Sequence, residues 1–268
     1  MLKPILKRIL GPQLKRSIKK FLGRQQLEEV DLIYGCLKDD NIAKVMVDVG
    51  GHHGGSLECF AFDGWRIYAF EPDPKNRAIL KSFCQNMPNV SIDSRAVSNQ
   101  DENEKPFFNS NVSSGISSLS SFHTSHKQVG TVSTVTLTTF FQENNISNVG
   151  FLKIDTEGHD LFVLKGVPWK DVMPEVVLCE FEDRKTVPLG YDFNDMASFL
   201  VDKGYQVLVS EWFPIIEYGS RHRWRRFAKY PCKLQDENAW GNIIAVKDDV
   251  RMQNILRLSE IFLKRFGD

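Results

Sequence analysis

The stretch Val45-Met-Val-Asp-Val-Gly-Gly-His-His-Gly-Gly55 joins a short apolar run to a cluster of glycines. Residues 56–62 can form a helix, and a second apolar run, Trp65-Arg-Ile-Tyr-Ala-Phe70, ends in the acid Glu71. Glycine allows a tight turn and a close approach of the backbone to a ligand. A carboxylate at the tip of the second strand can accept hydrogen bonds from both hydroxyls of a ribose. The order strand, glycine turn, helix, strand and acid therefore predicts a site for a nucleoside-containing cofactor.

The spacing of the glycines indicates which cofactor this site binds. A dinucleotide site has the pattern G-x-G-x-x-G, but here His52 stands two positions after Gly50, so the middle glycine is missing. Asp48 precedes Gly50 by two residues, which suits a cofactor that has an ammonium group and no pyrophosphate. The spacing therefore favours S-adenosylmethionine over a nicotinamide or a flavin. A strand-to-helix turn without a ligand is the alternative interpretation.

The composition of the chain is that of a soluble globular protein. Its 268 residues are 42% hydrophobic and 25% charged, and five cysteines occur without a C-x-x-C pair. Eight basic residues lie within residues 1–24, which leaves 26 basic against 34 acidic residues elsewhere. An acidic body is not typical of a nucleic-acid-binding protein, so no nucleic-acid partner is predicted. The unpaired cysteines and the lack of a long apolar run predict a cytoplasmic protein without a transmembrane span.

Residues 1–24 alternate apolar and basic positions at helical spacing, interrupted at Gly11-Pro12. Two short basic amphipathic helices are predicted, which could lie on the anionic inner surface of a membrane as a peripheral contact. Packing of the apolar sides against the rest of the protein is the equally weighted alternative.

Strands and helices alternate from residue 45 onward, which predicts a parallel sheet with helices on both faces. The predicted strands are 45–49, 66–71, 90–97, 149–155, 175–182, 205–211 and 240–246. A long irregular segment precedes the last strand, which is therefore expected to run antiparallel. The serine-rich segment 109–134 falls near the ligand edge of the sheet, and Gly115 to Leu119 are expected to contribute to the site. A surface loop without a role is the alternative.

A second polar motif follows the apolar run Phe151-Leu-Lys-Ile. It consists of Asp155-Thr-Glu157-Gly-His159-Asp160, and the next predicted strand brings Glu180 to the same edge. Such a cluster could bind sugar hydroxyls, remove a proton or hold a divalent cation. Helix initiation explains Glu157 and Asp160, since acids are favoured in a first turn. It does not explain why an apolar strand ends in Asp155.

These motifs together resemble the FkbM family of S-adenosylmethionine-dependent methyltransferases. The resemblance covers roughly residues 45–182 and rests on the segments 47–54, 70–74, 95–98, 115–119 and 152–159. It implies a Rossmann-like α/β sheet of seven strands, mostly parallel with the last strand antiparallel and with helices on both faces. It also implies O-methylation of a hydroxyl, often on a sugar or a polyketide-like product.

The resemblance implies roles for individual residues. The residues implied to bind the cofactor are Asp48, Gly50, Gly51 and Gly54 along its methionine part, Glu71 at the ribose, and Arg95 and Ala96 beside the adenine. The residues implied on the reaction side are Asp155, Glu157, His159 and Glu180. His159 is the most convenient base near neutral pH, and Asp155 is the alternative. Ser118 is expected to contact the substrate, and no metal is predicted.

Arginines alternate with aromatic residues in Arg221-His-Arg-Trp-Arg-Arg226. Such a segment suits phosphates, carboxylates and sugar rings, so Arg223 and Arg226 are predicted to bind an anionic or lipid-linked glycan. A solvated basic loop paired with the acidic body is the alternative, and single-stranded nucleic acid is a further ligand of such segments.

The sequence thus predicts an O-methyltransferase that acts on a sugar hydroxyl of a cell-surface glycan or its precursor. The predicted organisation is a basic segment 1–27, a methyltransferase domain 28–249 and a C-terminal helix 250–268, with an insertion at 109–134 and a basic aromatic loop at 212–238. An NAD-dependent oxidoreductase and a non-catalytic binding module for glycan or nucleic acid are the alternatives.

Overall fold

The computed structural model describes residues 27–110, 117–121, 124–216 and 222–266. The helices predicted within residues 1–24 lie outside this range, as do Gly115 and Arg221. None of the helices in the described parts has both the length and the apolar character needed to cross a membrane.

Within the described residues the chain forms eleven strands and eight α-helices. The strands are β1 Val45–Val49, β2 Arg66–Phe70, β3 Val90–Asp93, β4 Ala96–Val97, β5 Glu102–Ser110, β6 His126–Val135, β7 Phe151–Ile154, β8 Val176–Glu182, β9 Gln206–Trp212, β10 Trp224–Lys229 and β11 Trp240–Val246. The α-helices are Glu29–Leu37, Glu58–Phe62, Pro74–Phe83, Leu137–Glu143, Asp160–Lys165, Asp183–Thr186, Phe193–Asp202 and Asp249–Phe266, and a 3-10 helix spans Val187–Leu189.

The main sheet has the strand order β10-β9-β11-β8-β7-β1-β2-β3. Strand β1 lies between β2 and β7 and is parallel to both, while β11 runs antiparallel to β8 and β9. The predicted α/β sheet, mostly parallel, is therefore confirmed. The predicted count of seven strands is not, because the sheet has eight. The additional strand is β10, which pairs antiparallel with the edge of β9 and takes up part of the segment predicted as a basic aromatic loop.

The two faces of β1 are both buried, as expected for a central parallel strand. Successive side chains of a strand point to opposite faces. Val47 and Val49 accordingly belong to the hydrophobic cluster on one face of the sheet. Met46 belongs to the cluster on the other face, together with Phe60 and Trp65. The apolar run before the glycines thus holds the turn rigidly at the carboxyl edge of the sheet.

A second, three-stranded sheet with the order β4-β6-β5 covers part of this edge. Strands β5 and β6 form an antiparallel hairpin, and much of the segment predicted as a serine-rich insertion belongs to it. After β5 the chain returns in a bridge between Phe108 and Ser118, whose backbone groups exchange two hydrogen bonds of 2.9 Å. This bridge carries Ser117 to Leu119 to the carboxyl ends of the main strands.

Candidate active site

A cleft of about 170 Å³ opens at the carboxyl ends of β1, β2 and β7, beneath the hairpin. Seven of the residues predicted for the site line this cleft: Gly50, Glu71, Ala96, Ser118, Asp155, Glu157 and His159. Seven others do not line it: Asp48, Gly51, Gly54, Arg95, Glu180, Arg223 and Arg226. The cleft is also lined by apolar side chains, among them Val49, Phe70, Pro72, Val97, Phe107 and Leu119.

The glycine turn after β1 joins the two sides of the cleft. Gly50 has a φ of +84°, and a Cβ atom at this position would lie 1.9 Å from the carbonyl oxygen of Asp155. The backbone N–H groups of Gly50 and Gly51 both donate to the carbonyl of Phe70, at 3.1 and 2.9 Å. Gly54 is required for packing instead, since its Cβ would lie 2.6 Å from the ring of Phe83. Gly50 therefore belongs to the cleft wall, whereas Gly51 and Gly54 shape the turn from behind.

Glu71 is buried at the tip of β2, with 5% of its surface exposed. One carboxylate oxygen accepts from the backbone N–H of His52 at 2.8 Å, and the other accepts from that of Asp73 at 2.9 Å. Each oxygen keeps a lone pair for a further donor. Burial raises the pKa of Glu71 to about 7, although the hydrogen bonds from Asp73 and His52 oppose this shift.

Asp48 does not reach the cleft, because it is fully buried and its carboxylate already has partners. It accepts a hydrogen bond from Ser56 Oγ at 2.5 Å and lies 3.1 Å from Lys153 Nζ. Lys153 also donates to the carbonyl of Gly50 at 3.1 Å and lies 3.4 Å from Asp155 Oδ2. Burial opposes the charge of Lys153, but the two carboxylates outweigh it and hold its pKa above the usual value. Lys153 was not predicted as a site residue, although it is a lone charged residue within a buried strand.

The loop after β7 carries the reaction-side carboxylates. Asp155 is the accessible one, with 43% of its side chain exposed. Glu157 has a φ of +57° and pairs with Lys185 Nζ at 2.6 Å. Lys185, which is 2% exposed, also contacts Glu180 at 3.0 Å and Glu182 at 2.9 Å. Burial raises the pKa of Glu157 to about 7 against the opposing charge of Lys185. Glu180 is thereby held behind the cleft, and Lys185 is a second residue that sequence analysis missed.

Asp155, Glu157 and Glu180 each offer an oxygen within 4.8 Å of the others. Three carboxylates at this spacing could share a divalent cation. The ammonium of Lys185 already contacts Glu157 and Glu180, however, and supplies the positive charge that brings these two carboxylates together. Lys185 therefore accounts for the proximity of Glu157 and Glu180, whereas Asp155 lies beside Lys153.

His159 is buried in the cleft wall, where only 6% of it is exposed. Its Nε2 lies 2.9 Å from Ser98 Oγ, and its ring stacks on Phe162 at a centroid distance of 4.6 Å. Burial lowers the pKa of His159 to about 4, because the apolar surroundings favour the neutral ring. This differs from the predicted base that titrates near neutral pH.

The hairpin contributes contacts to both sides of the cleft. Ser118, itself buried, donates through Oγ to the carbonyl of Glu157 at 3.1 Å. Ser117 Oγ lies 3.4 Å from Asp73 Oδ2, on the side of Glu71. The hydroxyl of Ser118 is thus used to fasten the loop after β7, whereas it was predicted to contact the substrate.

Three predicted arginines are held elsewhere by neighbouring groups. Arg95 pairs with Asp93 and Glu143, both at 2.8 Å, outside the cleft. Arg226 pairs with the fully buried Glu211 at 2.8 Å. The guanidinium of Arg223 lies 4.7 Å from the ring centroid of Phe213, further along the carboxyl edge of the sheet. Arg95 and Arg226 therefore stabilise the fold, and Arg223 alone is exposed.

Comparison with solved structures returns methyltransferases at low similarity. A precorrin-6y C5,15-methyltransferase from Geobacter metallireducens is 14% identical, with 81% of this chain and 87% of that chain covered and a TM-score of 0.43. An O-methyltransferase from Bacillus cereus, in complex with SAH, is 11% identical, with 83% of each chain covered and a TM-score of 0.42. TM-scores of this size do not by themselves establish a relationship. No curated protein is significantly similar in sequence to this chain.

The family is identified by the sequence itself. The family model described as the methyltransferase FkbM domain matches residues 48–207, which is more than half of the chain. The matched region contains the glycine turn, Glu71 and the loop from Asp155 to His159, and so includes the parts of the cleft that lie on the main sheet. The chain therefore belongs to the FkbM family of methyltransferases.

Proposed function

We propose that the protein is an S-adenosylmethionine-dependent O-methyltransferase that modifies a sugar hydroxyl in a cell-surface glycan or its precursor. Membership of the FkbM family supports methyl transfer. The observation that carries the proposal is the placement of two carboxylates in one cleft. Glu71 is buried, and each of its carboxylate oxygens accepts one hydrogen bond and can accept another. Asp155 is accessible.

The residues of the cleft fit the proposed cofactor. Both oxygens of Glu71 can accept one further hydrogen bond, which matches the two hydroxyls of a ribose. The turn at Gly50 leaves no room for a side chain, so its backbone forms the adjacent wall. Ala96 and Val97 offer an apolar surface for the base. When bound, S-adenosylmethionine supplies a methyl group already activated by its sulfonium.

Asp155 is the residue proposed to act on the acceptor. Asp155 lines the cleft, and Lys153 Nζ lies 3.4 Å from one of its carboxylate oxygens. A sugar hydroxyl is a weak nucleophile, so a base that accepts its proton assists the attack. Asp155 would orient the hydroxyl and take the proton as the new O–CH3 bond forms and the S–CH3 bond breaks. Glu157 is less suited to this step, because Lys185 holds its carboxylate at 2.6 Å.

The carboxyl edge beyond β8 supports an anionic sugar as the acceptor. Trp240 pairs in register with Glu182, and its ring packs at a tilt against that of Trp212, with a centroid distance of 5.4 Å. Neighbouring strands lie about 4.8 Å apart, so Trp240 on β11 is roughly 10 Å from strand β7 that leads into Asp155. Arg223 is exposed and forms no ion pair with another described residue. Arg223 directly precedes β10, which is four strands from β7, so by the same spacing it lies roughly 20 Å away. The aromatic rings suit the sugar next to the one that is methylated, and the guanidinium suits an anionic group further along the glycan.

Transfer of a labelled methyl group tests the proposal. Purified protein is incubated with S-adenosylmethionine that carries a deuterated methyl group and with glycan or lipid-linked glycan extracted from cells lacking the protein. Mass spectrometry should find the label as a sugar methyl ether, and the variant Asp155→Asn should lose most of it. Label in protein or nucleic acid, or none in sugar, would overturn the acceptor class. Oxidation or reduction of a substrate with NAD would support the rival oxidoreductase.

A further inference from the structure

One ring nitrogen of His159 has no partner inside the protein. The side chain is buried and lines the cleft, and Nε2 is engaged by Ser98 Oγ at 2.9 Å. Nδ1 is also buried and makes no hydrogen bond. Buried polar groups are almost always satisfied, and an exception calls for an explanation. In the wall of a ligand cleft, the simplest explanation is a hydrogen bond that the ligand completes.

The neighbours of His159 determine whether Nδ1 is a donor or an acceptor. Ser98 Oγ donates to Asn99 Oδ1 at 3.2 Å. A serine hydroxyl has a single hydrogen; with this hydrogen directed to Asn99 Oδ1, the oxygen of Ser98 accepts from Nε2 of His159. In this arrangement Nε2 of His159 carries the ring proton, and Nδ1 presents a bare lone pair. Burial lowers the pKa of His159 to about 4, with the charge of Lys105 adding to this shift and that of Glu102 opposing it, so the neutral ring persists at neutral pH.

The position of His159 within the cleft indicates which part of a ligand it meets. Ser98 follows directly after Val97, so their hydrogen bond fixes the imidazole beside β4. Val97, Ala96 and Phe107 form an apolar wall of the cleft at this end. β4 begins three residues after β3. In the main sheet β3 lies beyond β2, on the side away from β1 and β7, which lead into the glycine turn and Asp155. With a ribose at Glu71, the attached base would point towards this apolar end and the amino-acid half towards Asp155.

We propose that His159 recognises the adenine of the cofactor, with Nδ1 accepting a hydrogen bond from the exocyclic amino group. The inference rests on the proposed function, since it takes an S-adenosyl compound as the ligand. The apolar wall matches the faces of a purine, and the lone pair matches the one strong donor at its edge. His159 is thereby a specificity-determining residue and not the general base. A purine with a carbonyl oxygen in place of the amino group would bring two acceptors together and be rejected.

Calorimetry with two product analogues tests this inference. S-adenosylhomocysteine and S-inosylhomocysteine differ at the exocyclic position of the purine. We expect the unmodified protein to prefer the adenosine compound by about 100-fold or more, because a site built around a hydrogen bond discriminates strongly. His159→Phe keeps the stacking on Phe162 but removes the acceptor, so the ratio of the two affinities should fall towards one. Glu71→Gln is the matched control, since it should weaken both compounds equally and leave the ratio unchanged.

The outcomes separate this inference from the proposed function. Equal affinity of the unmodified protein for both compounds, or an unchanged ratio in His159→Phe, would overturn the role of His159 and leave the cofactor site intact. Failure to bind either compound would overturn the proposed function and this inference with it. NMR of the ring nitrogens supplies a test that needs no variant. Nδ1 of His159 should be unprotonated in the free protein and shift on addition of S-adenosylhomocysteine, whereas a protonated Nδ1 would contradict the assignment.

Discussion

Glu71 is the residue with the most demanding environment in the cleft, and it makes cofactor binding dependent on pH. Its pKa is raised to about 7 mainly by burial; the backbone hydrogen bonds from Asp73 and His52 oppose this shift, the carboxylate charge of Asp73 adds to it and the charge of Lys153 opposes it. Ribose hydroxyls donate to the charged form, so binding should favour deprotonation. The affinity for S-adenosylhomocysteine should therefore rise from pH 6 to pH 8, with release of a proton that calorimetry in two buffers detects.

The variant Glu71→Gln removes this titration and provides the control. It should bind S-adenosylhomocysteine more weakly by about 1–3 kcal/mol, the usual cost of a lost charged partner. Its affinity should not vary across the same pH range. A flat pH profile in the unmodified protein, or an equal slope in both proteins, would show that Glu71 does not face the ribose.

Asp155 should control turnover while affecting cofactor affinity little. Asp155→Asn keeps the shape of the side chain and removes its capacity to accept a proton, so turnover should fall by roughly 100-fold or more. The exposed Asp171→Asn is a matched control with no expected effect. Burial lowers the pKa of His159 to about 4. A change in turnover with pH near 6.5 should therefore not arise from His159. Wild-type turnover by Asp155→Asn would remove Asp155 from the chemistry.

The sequence indicates which residues reach the carboxyl edge of the sheet but not which of them remain available there. Glu71 and Asp155 were identified correctly as cleft residues, since each directly follows a strand. Asp48 was placed on the cofactor although Ser56 and Lys153 engage its carboxylate. This could not be foreseen, because Lys153 comes from a strand about a hundred residues away that pairs with β1 only in the folded sheet. Arg95 is likewise taken up by Glu143.

At the scale of an element, the glycine turn after β1 is a steric requirement. A side chain at Gly50 would meet the carbonyl of Asp155 at 1.9 Å, so Gly50→Ala should displace the turn and abolish binding of S-adenosylhomocysteine. Gly64→Ala is the matched control, because Gly64 has a similar φ of +75° but a Cβ added there would have no atom within 4 Å. The control should lose only about 1–2 kcal/mol of stability from the left-handed backbone and should still bind. Equal behaviour of the two variants would show that the close contact has no consequence.

The loop after β7 depends on one buried ammonium. Lys185 contacts three carboxylates, from Glu157, Glu180 and Glu182. Lys185→Met leaves Glu157 and Glu180 without their cation, while Glu182 keeps Arg184. The free energy of unfolding at pH 7 should therefore fall by about 3–5 kcal/mol. The deficit should shrink at pH 5, since the stranded carboxyls can then be protonated. Urea unfolding measures both values, with the exposed Lys81→Met as the control. Equal stability of the two variants would show that the cluster is not stabilised by Lys185.

Elements with strong local patterns were predictable, and those that depend on distant partners were not. Six of the seven predicted strands occur on the main sheet, where their apolar runs are largely buried. The predicted strand 90–97 instead divides into β3 on the main sheet and β4 on the three-stranded sheet. Helix Glu29–Leu37 was missed, since its N-terminus has no side-chain cap and Glu29 bonds instead to Ser210 and Trp212 far along the chain. Strand β10 was predicted as part of a basic loop, because Glu211, which neutralises its Arg225 and Arg226, lies on the adjacent strand.

At the scale of the whole molecule, basic charge is concentrated in residues 1–24, which carry eight of the 34 basic residues. We propose that this segment attracts the protein to anionic membranes, where lipid-linked glycans are found. Deleting it should abolish sedimentation with phosphatidylserine or phosphatidylglycerol vesicles and leave S-adenosylhomocysteine binding intact. Vesicle binding of the full chain should weaken as salt rises. Loss of folding on deletion would show that the segment covers the domain instead.

The central claim is that the cleft between Glu71 and Asp155 holds S-adenosylmethionine, and calorimetry of the full-length protein tests it most directly. S-adenosylhomocysteine should bind once per chain, and Glu71→Ala should weaken it by about 1–3 kcal/mol, since the ribose hydroxyls lose their acceptor. NAD should release no heat, because the turn lacks the middle glycine of a dinucleotide site. Binding of NAD in preference to S-adenosylhomocysteine, or equal affinity of wild type and Glu71→Ala for S-adenosylhomocysteine, would contradict the claim.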